Sequence, residues 1–366
     1  MRRGHGDVPY KERPPTALLR SPASSNLARR MEPRRLKVIR GLTDRRIDAL
    51  LTLLSENTTI VISGAKIAKE IGVTRGTVWR WVQRLRMLGV DVSGHPRTGY
   101  HIERIPDILA PKLISRRLLN TPFWKRIYHF FKVESTNDIA MKLGDEGEPH
   151  GAVVIAEEQT AGRGRAGRSW NSEKSVGIYC TVLLRPPIPP GQASLLTLVA
   201  GLAARDASAE ELDAAPDVRW PNDLLLGGRK FCGILTEMQA EPDRVHYAVV
   251  GIGINVNQTR MPAEIASLAT SLRMESGRVH SRLDILVGLL RHLDRYYNLL
   301  LAEGPQPILR RFSEVSSYVQ GKRVRITTAT DSFVGTTEGL EPSGILRVAR
   351  DDGRIVPVIS ADVSEA

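Results

Sequence analysis

Apolar residues first recur at helical spacing at Ile47, Leu50, Leu51 and Leu54, which predicts a helix beginning near Asp44. Ser63 opens a second predicted helix over 64–71, with Ile67, Ala68 and Ile71 on one face. Gly72-Val73-Thr74 interrupts the pattern. Thr74 is a good N-cap for a third helix running to about Leu88, whose apolar stripe is Val78, Trp81, Val82 and Leu85. The period then drops to two on either side of Gly94–Gly99, the pattern of a β-hairpin. Two short helices joined at a glycine turn and followed by a hairpin predict a winged helix-turn-helix.

Beyond a linker around Ile105–Pro111, helices and strands alternate. Phe130–Val133 reads as a strand leading into Glu134-Ser135-Thr136-Asn137, and Asp138–Leu143 as a helix. Apolar runs at 152–156 and 176–184 predict two buried strands, and a long apolar helix follows from Ala193 to about Ala209. Strands at Val218–Trp220 and Cys232–Glu237 lie on either side of Pro221-Asn222-Asp223. A further strand covers 245–256, and Leu283–Leu301 is an amphipathic helix. From Gly321 short alternating strands, such as Val324–Ile326 and Ile345–Val348, suggest a small all-β barrel.

At 366 residues the chain has room for two or three domains, and 42% hydrophobic residues is ordinary for a globular protein. No apolar run reaches the roughly 18 residues of a membrane span, and the first stretch lacks a secretory h-region. No membrane partner is expected. Cys180 and Cys232 sit in apolar strands, the setting of buried thiols, so a cytoplasmic location is expected. The net charge of +12 is localised: residues 1–40 hold 11 Lys/Arg against 3 Asp/Glu, and residues 41–104 hold 10 against 6. The remainder carries 31 of each sign. A polyanionic partner therefore belongs to the N-terminal part, where Arg75, Thr77, Arg80 and Arg84 of the third helix and Arg97 of the wing face DNA if this module binds it. A winged helix serving as a protein-binding module remains the alternative. Residues 1–40, rich in Arg, Pro and Ser, read as a disordered basic tail.

The densest chemistry lies in Gly162-Arg163-Gly164-Arg165-Ala166-Gly167-Arg168-Ser169-Trp170, between two predicted strands. Glycines let a backbone approach a ligand, guanidinium groups present forked donors to phosphate oxygens, and the indole offers a flat face for a ring. That combination predicts a clamp for a phosphate-bearing ligand.

Four strings occur in order: Glu134-Ser135-Thr136-Asn137; Gln159-Thr160-Ala161 with the arginine loop; Arg219-Trp220-Pro221-Asn222-Asp223 followed by Gly228-Arg229-Lys230-Phe231-Cys232-Gly233-Ile234-Leu235; and Gly251-Ile252-Gly253-Ile254-Asn255-Val256-Asn257. In this order, after a winged helix and before a small β domain, they closely resemble the bifunctional bacterial biotin protein ligases that double as biotin-operon repressors. The resemblance runs from about Leu42 to the C-terminus. It implies a multidomain α/β (α+β) chain: a tail (1–40), a winged helix-turn-helix (41–104), a mixed-sheet catalytic domain of the biotin/lipoate-ligase kind (105–316) and an SH3-like β barrel (317–366).

The activity implied is synthesis of biotinyl-5′-AMP from biotin and MgATP, then transfer of biotin to a lysine of a biotin carboxyl carrier domain. No tightly bound prosthetic group is expected. The resemblance assigns Ser135, Thr136, Asn137 and Gln159 to the biotin pocket, with N-capping of the next helix as the other role open to Thr136 or Asn137. Arg163, Gly164 and Arg165 match positions that close over biotin and the adenylate phosphate, and Arg168 is expected to steer pyrophosphate or order the loop. Lys230 matches the active-site lysine, with Arg165 as its catalytic companion. Trp170 lies beside adenine or in the core, Asn255 contacts adenine, and Asp223 serves Mg2+, the ribose or a turn. The implied partners are operator DNA and a second copy of the chain in a ligand-promoted homodimer. Lipoate or another acyl-carrier ligase, and a biotin sensor without ligase activity, are the competing classes. The Gly251-Ile252-Gly253 string resembles half of a dinucleotide fingerprint, but no helix with a third glycine follows it.

Overall fold

The computed structural model describes residues 45–58, 60–87, 90–102, 107–213, 215–328 and 330–366. The tail read at 1–40 lies outside them. The first unit packs α1 (Arg45–Ser55), α2 (Gly64–Ile71) and α3 (Arg75–Met87) beside a hairpin of β1 (Val92–His95) and β2 (Gly99–Ile102). Its helices begin and end where capping chemistry dictates. The Ser63 hydroxyl accepts from the Lys66 amide, and Thr74 accepts from the Thr77 amide. Gly72 closes α2 in the left-handed region (φ 75°), which glycine adopts without strain. Ile47, Leu50, Leu51, Leu54, Val78, Val82 and Leu85 are buried together, as their spacing predicts.

A short helix, α4 (Pro111–Ser115), leads into a seven-stranded mixed sheet of order β3-β4-β5-β9-β8-β7-β6. The strands are β3 (Ile127–Phe130), β4 (Ala152–Ala156), β5 (Gly177–Leu184), β6 (Asp217–Arg219), β7 (Asp223–Leu226), β8 (Arg229–Ala240) and β9 (Val245–Asn255). Only β3 and β4 run parallel. One face is covered by α6 (Ser194–Ala209), α8 (Arg282–Glu303) and α9 (Pro305–Val315), which bury Val153, Ile155, Cys180, Val182, Ile234, Val250, Ile252 and Ile254. The opposite face meets α5 (Thr136–Asp145), over Ala152, Val154, Leu183, Tyr247 and Val249. Alternation along each strand thus sends every second residue to a different helix layer. A short helix, α7 (Leu272–Ser276), precedes α8. The C-terminal unit is an SH3-like antiparallel sheet of order β13-β12-β11-β10-β14, formed by β10 (Gln320–Thr327), β11 (Ser332–Leu340), β12 (Leu346–Arg350), β13 (Ile355–Val358) and β14 (Asp362–Glu365).

Three expectations change. The strand read at Phe130–Val133 lies earlier, because Tyr128 and His129 are buried despite their polar atoms, and Phe131 turns out of the sheet into the winged-helix core. The stretch read as a linker is packed where it is described: Ile108 and Ala110 join the winged-helix core and Leu109 the catalytic core. Ser135 occupies the N-cap position of α5, so Thr136 and Asn137 are its first helical residues and not caps.

Candidate functional site

Helix α5 covers only part of its sheet face. On β9, Tyr247 and Val249 lie beneath it, while Gly251, Gly253 and Asn255, next on the same face, line a cavity of about 450 Å3. Gly233 and Leu235 of β8 and Tyr179 of β5 extend this floor. The glycines make room for two side chains. A Cβ on Gly251 would lie 2.1 Å from Asn137 Oδ1, and one on Gly253 would lie 2.5 Å from the Trp170 indole. The Gly-x-Gly string is therefore a seat for an amide and a ring, which accounts for the missing fingerprint helix.

At one end of the cavity, polar groups are fixed in a chain. The Thr136 amide and hydroxyl donate to Gln159 Oε1 at 2.8 and 3.1 Å, and Gln159 Nε2 donates to Ser172 Oγ at 2.8 Å. Thr181 Oγ1 lies 2.8 Å from Thr136 Oγ1 and 2.7 Å from Asn137 Oδ1. Asn137 Nδ2 donates to Glu237 Oε2 at 2.8 Å. Ser135 completes this wall, and its hydroxyl makes no capping bond.

The arginine loop folds into a tight hairpin. The Trp170 amide donates to Gly162 O, the Gly164 amide to Arg168 O, and Ala166 takes a left-handed backbone (φ 52°) at the tip. Each guanidinium is directed to a different partner. Arg163 meets Asp138 and Glu237 at 2.7 and 2.8 Å. Arg165 donates to Asn222 Oδ1 at 2.8 Å and Ser360 Oγ at 2.6 Å, and Arg168 pairs with Asp362 at 2.6 Å. The C-terminal sheet domain thereby supplies part of the cavity wall. Burial lowers the Arg165 pKa, opposed by Asp223 and Asp362.

Lys230 stands across the floor. Its backbone is pinned on both sides, N–H to Leu268 O and C=O to the Thr270 amide. Its Nζ lies 2.5 Å from Asp223 Oδ1 and 5.5 Å from the Trp170 ring centre. Asp223 Oδ2 accepts from Arg219 at 2.8 Å. Burial would raise the Asp223 pKa, but Lys230 and Arg219 outweigh it and hold the carboxyl below its ordinary value. Asn255 donates to Thr270 O at 3.0 Å and accepts from Gln258, tying the 255–270 segment to the floor. Neither cysteine is a nucleophile here: both are buried, and burial raises both pKa values, Cys180 to about 12.

Comparison with known proteins places these features. Residues 130–255 match the biotin/lipoate A/B protein ligase family, 46–101 match an HTH domain, and 320–364 match the biotin protein ligase C-terminal domain. The chain is 34% identical to the bifunctional ligase/repressor BirA of Bacillus subtilis over 86% of its own length and 97% of that protein's. The chain belongs to the biotin protein ligases. It is also 34% identical to the biotin–[acetyl-CoA-carboxylase] ligase of Mycobacterium tuberculosis, over 70% of this chain and 97% of that one. Among solved structures, the Aquifex aeolicus biotin protein ligase in complex with biotin and ATP superimposes with a TM-score of 0.58 at 27% identity, covering 66% of this ligase and all of that chain.

All twelve residues assigned from sequence to the biotin and adenylate subsites of this ligase line the one cavity. Arg219, Asn222, Thr181, Glu237, Ser360 and Asp362 were not assigned, although Thr181 is visible as a lone threonine inside an apolar run. On the winged helix, Arg75, Arg80, Arg84 and Arg97 are exposed and Thr77 half-buried. Arg75 donates to Pro96 O of the wing at 3.1 Å and Arg80 to Thr77 at 3.2 Å. The Arg84 guanidinium lies 5.7 Å from the Phe131 ring centre of the catalytic domain.

Proposed function

We propose that the ligase joins biotin to ATP in this cavity and passes biotin to a carrier lysine, and that its winged helix represses transcription from operator DNA. The observation that carries the reading is the convergence of a neutral hydrogen-bonding wall, an arginine hairpin and a lysine on one glycine-floored sheet face. The wall of Ser135, Thr136, Asn137 and Gln159 suits a ureido head that donates and accepts, with Arg163 and Gly164 closing over it. The biotin carboxylate attacks the α-phosphorus, the new C–O–P bond forms as the bond to the β-phosphate oxygen breaks, and pyrophosphate leaves. Lys230 and Arg165 stabilise the charge gathering on the α-phosphate, and Arg168 guides the departing pyrophosphate. Trp170 and Asn255 hold the adenine side. In transfer, the carrier amine attacks the acyl carbon, AMP departs and the amine loses a proton.

Magnesium enters as part of the MgATP substrate. Among the described residues no three acidic, histidine or cysteine side chains form a metal cage. Asp223, engaged by Lys230 and Arg219, acts first as the lysine's orienting partner and offers at most one ligand to the ion. We assign 41–104, 105–316 and 317–366 to the DNA-binding, catalytic and C-terminal domains. Adenylate occupancy promotes a homodimer that presents Arg75, Thr77, Arg80 and Arg97 to a two-fold operator. The carrier domain belongs to a biotin-dependent carboxylase, met in the cytoplasm. Among the described residues no helix is long and apolar enough to cross a membrane.

Incorporation of labelled biotin into a purified carrier domain with MgATP tests the ligase. Transfer by wild type and its loss in Lys230→Ala supports the reading, whereas binding of biotin without transfer leaves a sensor. Footprinting with and without biotin plus ATP tests repression, and ligand-independent occupancy would overturn the linkage.

A further inference from the structure

Two buried acids, a histidine and an arginine form a continuous chain between the winged helix and the catalytic sheet. Asp48 of α1 lies 3.3 Å from His129 Nδ1 of β3, an ion-pair contact without hydrogen-bond geometry. His129 Nε2 lies 3.1 Å from Glu157 Oε1, just past β4. Glu157 Oε2 lies 2.8 Å from Arg282, the first residue of α8, which also donates to Gly177 O and pairs with Asp107. The Leu109 amide donates to Glu157 Oε1 at 3.0 Å. Asp48, His129, Glu157 and Arg282 are all buried. Taking four such groups out of water is costly unless each is paired, and apolar residues of similar volume would hold two domains together at least as well. Stability alone is a poor account of this arrangement.

The position of the chain suggests another. Glu157 stands two residues, or about 7 Å of extended backbone, before Gln159. Beyond β3 and β4 the two segments that carry His129 and Glu157 continue as a ladder: Val133 N–H to Glu158 O, Thr160 N–H to Val133 O, Ala161 N–H to Glu134 O. That ladder ends at Ser135 on one side and at the arginine loop on the other. Phe131 follows His129 by two residues, packs edge-on against its ring at 5.0 Å, sits in the winged-helix core and lies beneath Arg84 of α3.

We propose that the Asp48–His129–Glu157–Arg282 chain, with Phe131 under Arg84, couples docking of the winged helix to the biotin pocket within a single protomer. The idea rests on the biotin reading of the pocket. Asp48 and His129 are positioning residues, acting through β3 and β4 on Thr136 and Gln159. Linkage makes the effect reciprocal: whatever the winged helix gains from an occupied pocket, the pocket gains from a docked winged helix.

The test is titration of biotin into the full chain held monomeric by dilution, for wild type, Asp48→Asn, His129→Gln and Arg116→Ala. Arg116 pairs with Glu56 across the same domain boundary but at the surface, outside the chain. Hydrogen exchange at the Leu109 amide is followed in parallel, with β5 and β9 amides reporting the integrity of the catalytic core. The expected result is biotin affinity lowered about fivefold or more in Asp48→Asn and His129→Gln, with faster Leu109 exchange, an unchanged catalytic core and wild-type affinity in Arg116→Ala. Wild-type affinity in both chain variants overturns the proposal, whether or not Leu109 exchange rises. An equal loss in Arg116→Ala also overturns it, since any loosening of the boundary would then suffice. Failure of the wild type itself to bind biotin refutes the underlying reading instead.

Discussion

Replacing Gly251 by alanine adds one methyl group where the structure has no room for it. The new Cβ would stand 2.1 Å from Asn137 Oδ1 and 3.0 Å from its Nδ2, so the amide has to retreat by more than 1 Å. It has no free direction, because Thr181 holds its oxygen at 2.7 Å and Glu237 its nitrogen at 2.8 Å. Moving it breaks a neutral and a charge-assisted hydrogen bond, about 1 and about 1.5–3 kcal/mol respectively. The expected loss is about 2–4 kcal/mol, between one and three decades in biotin affinity. Isothermal titration calorimetry measures it directly. Gly191→Ala is the control, since its Cβ would meet nothing within 4 Å. A Gly251→Ala protein with wild-type biotin affinity would refute the claim that glycine is there to seat Asn137.

Lys230→Met is expected to slow pyrophosphate release about a hundredfold to a thousandfold while leaving biotin affinity within about twofold, measured by a coupled pyrophosphate assay. Arg97→Ala should weaken duplex DNA binding and reduce the log–log salt slope by about one, whereas Arg84→Ala, facing Phe131, should leave that slope unchanged. The domain contact should depend on pH at both ends. Burial lowers the His129 pKa, but Asp48 and Glu157 outweigh it and raise the pKa to about 9, so its contribution is full below about 6.5 and fades as pH rises through 9. Burial raises the Glu157 pKa, but Arg282 and His129 outweigh it and hold the pKa at about 2, so its contribution is full above about 4.5 and is lost as pH falls through 2. Melting temperatures of wild type and His129→Gln should therefore converge above about pH 9, and a constant gap would count against the assignment.

The winged helix was readable because its information is local. Caps at Ser63 and Thr74, a left-handed Gly72 and a helical apolar stripe each act within one or two turns. The long buried strands β4, β5 and β9 were equally plain as apolar runs. Strand β7 was not, because Pro221-Asn222-Asp223 reads as a turn, and the strand begins on Asp223 itself. Helix α9 opens with Pro305 at its first position and was passed over, although a proline there costs no hydrogen bond. The motif residues were legible by type, and their roles in the wall were not. Whether Thr136 caps a helix or faces Gln159 depends on where α5 starts, and a shift of one residue exchanges the two outcomes.

The interdomain chain was hidden for a different reason. Asp48 and His129 stand between apolar or aromatic neighbours, Glu157 is followed by Glu158, and Arg282 lies between Ser281 and Leu283, in four segments that sequence keeps apart. Each one alone reads as a solvated surface group or a helix-end charge. Only the topology reveals the pairing, by laying β3 parallel to β4 and setting the start of α8 and the face of α1 against their ends. The same topology explains why such a cluster is informative. A charged residue that tolerates full burial must have its partner delivered by another element, so a buried chain crossing a domain boundary holds its partners only while both domains keep one arrangement. In this ligase, the elements whose arrangement it fixes are the two that lead into the pocket.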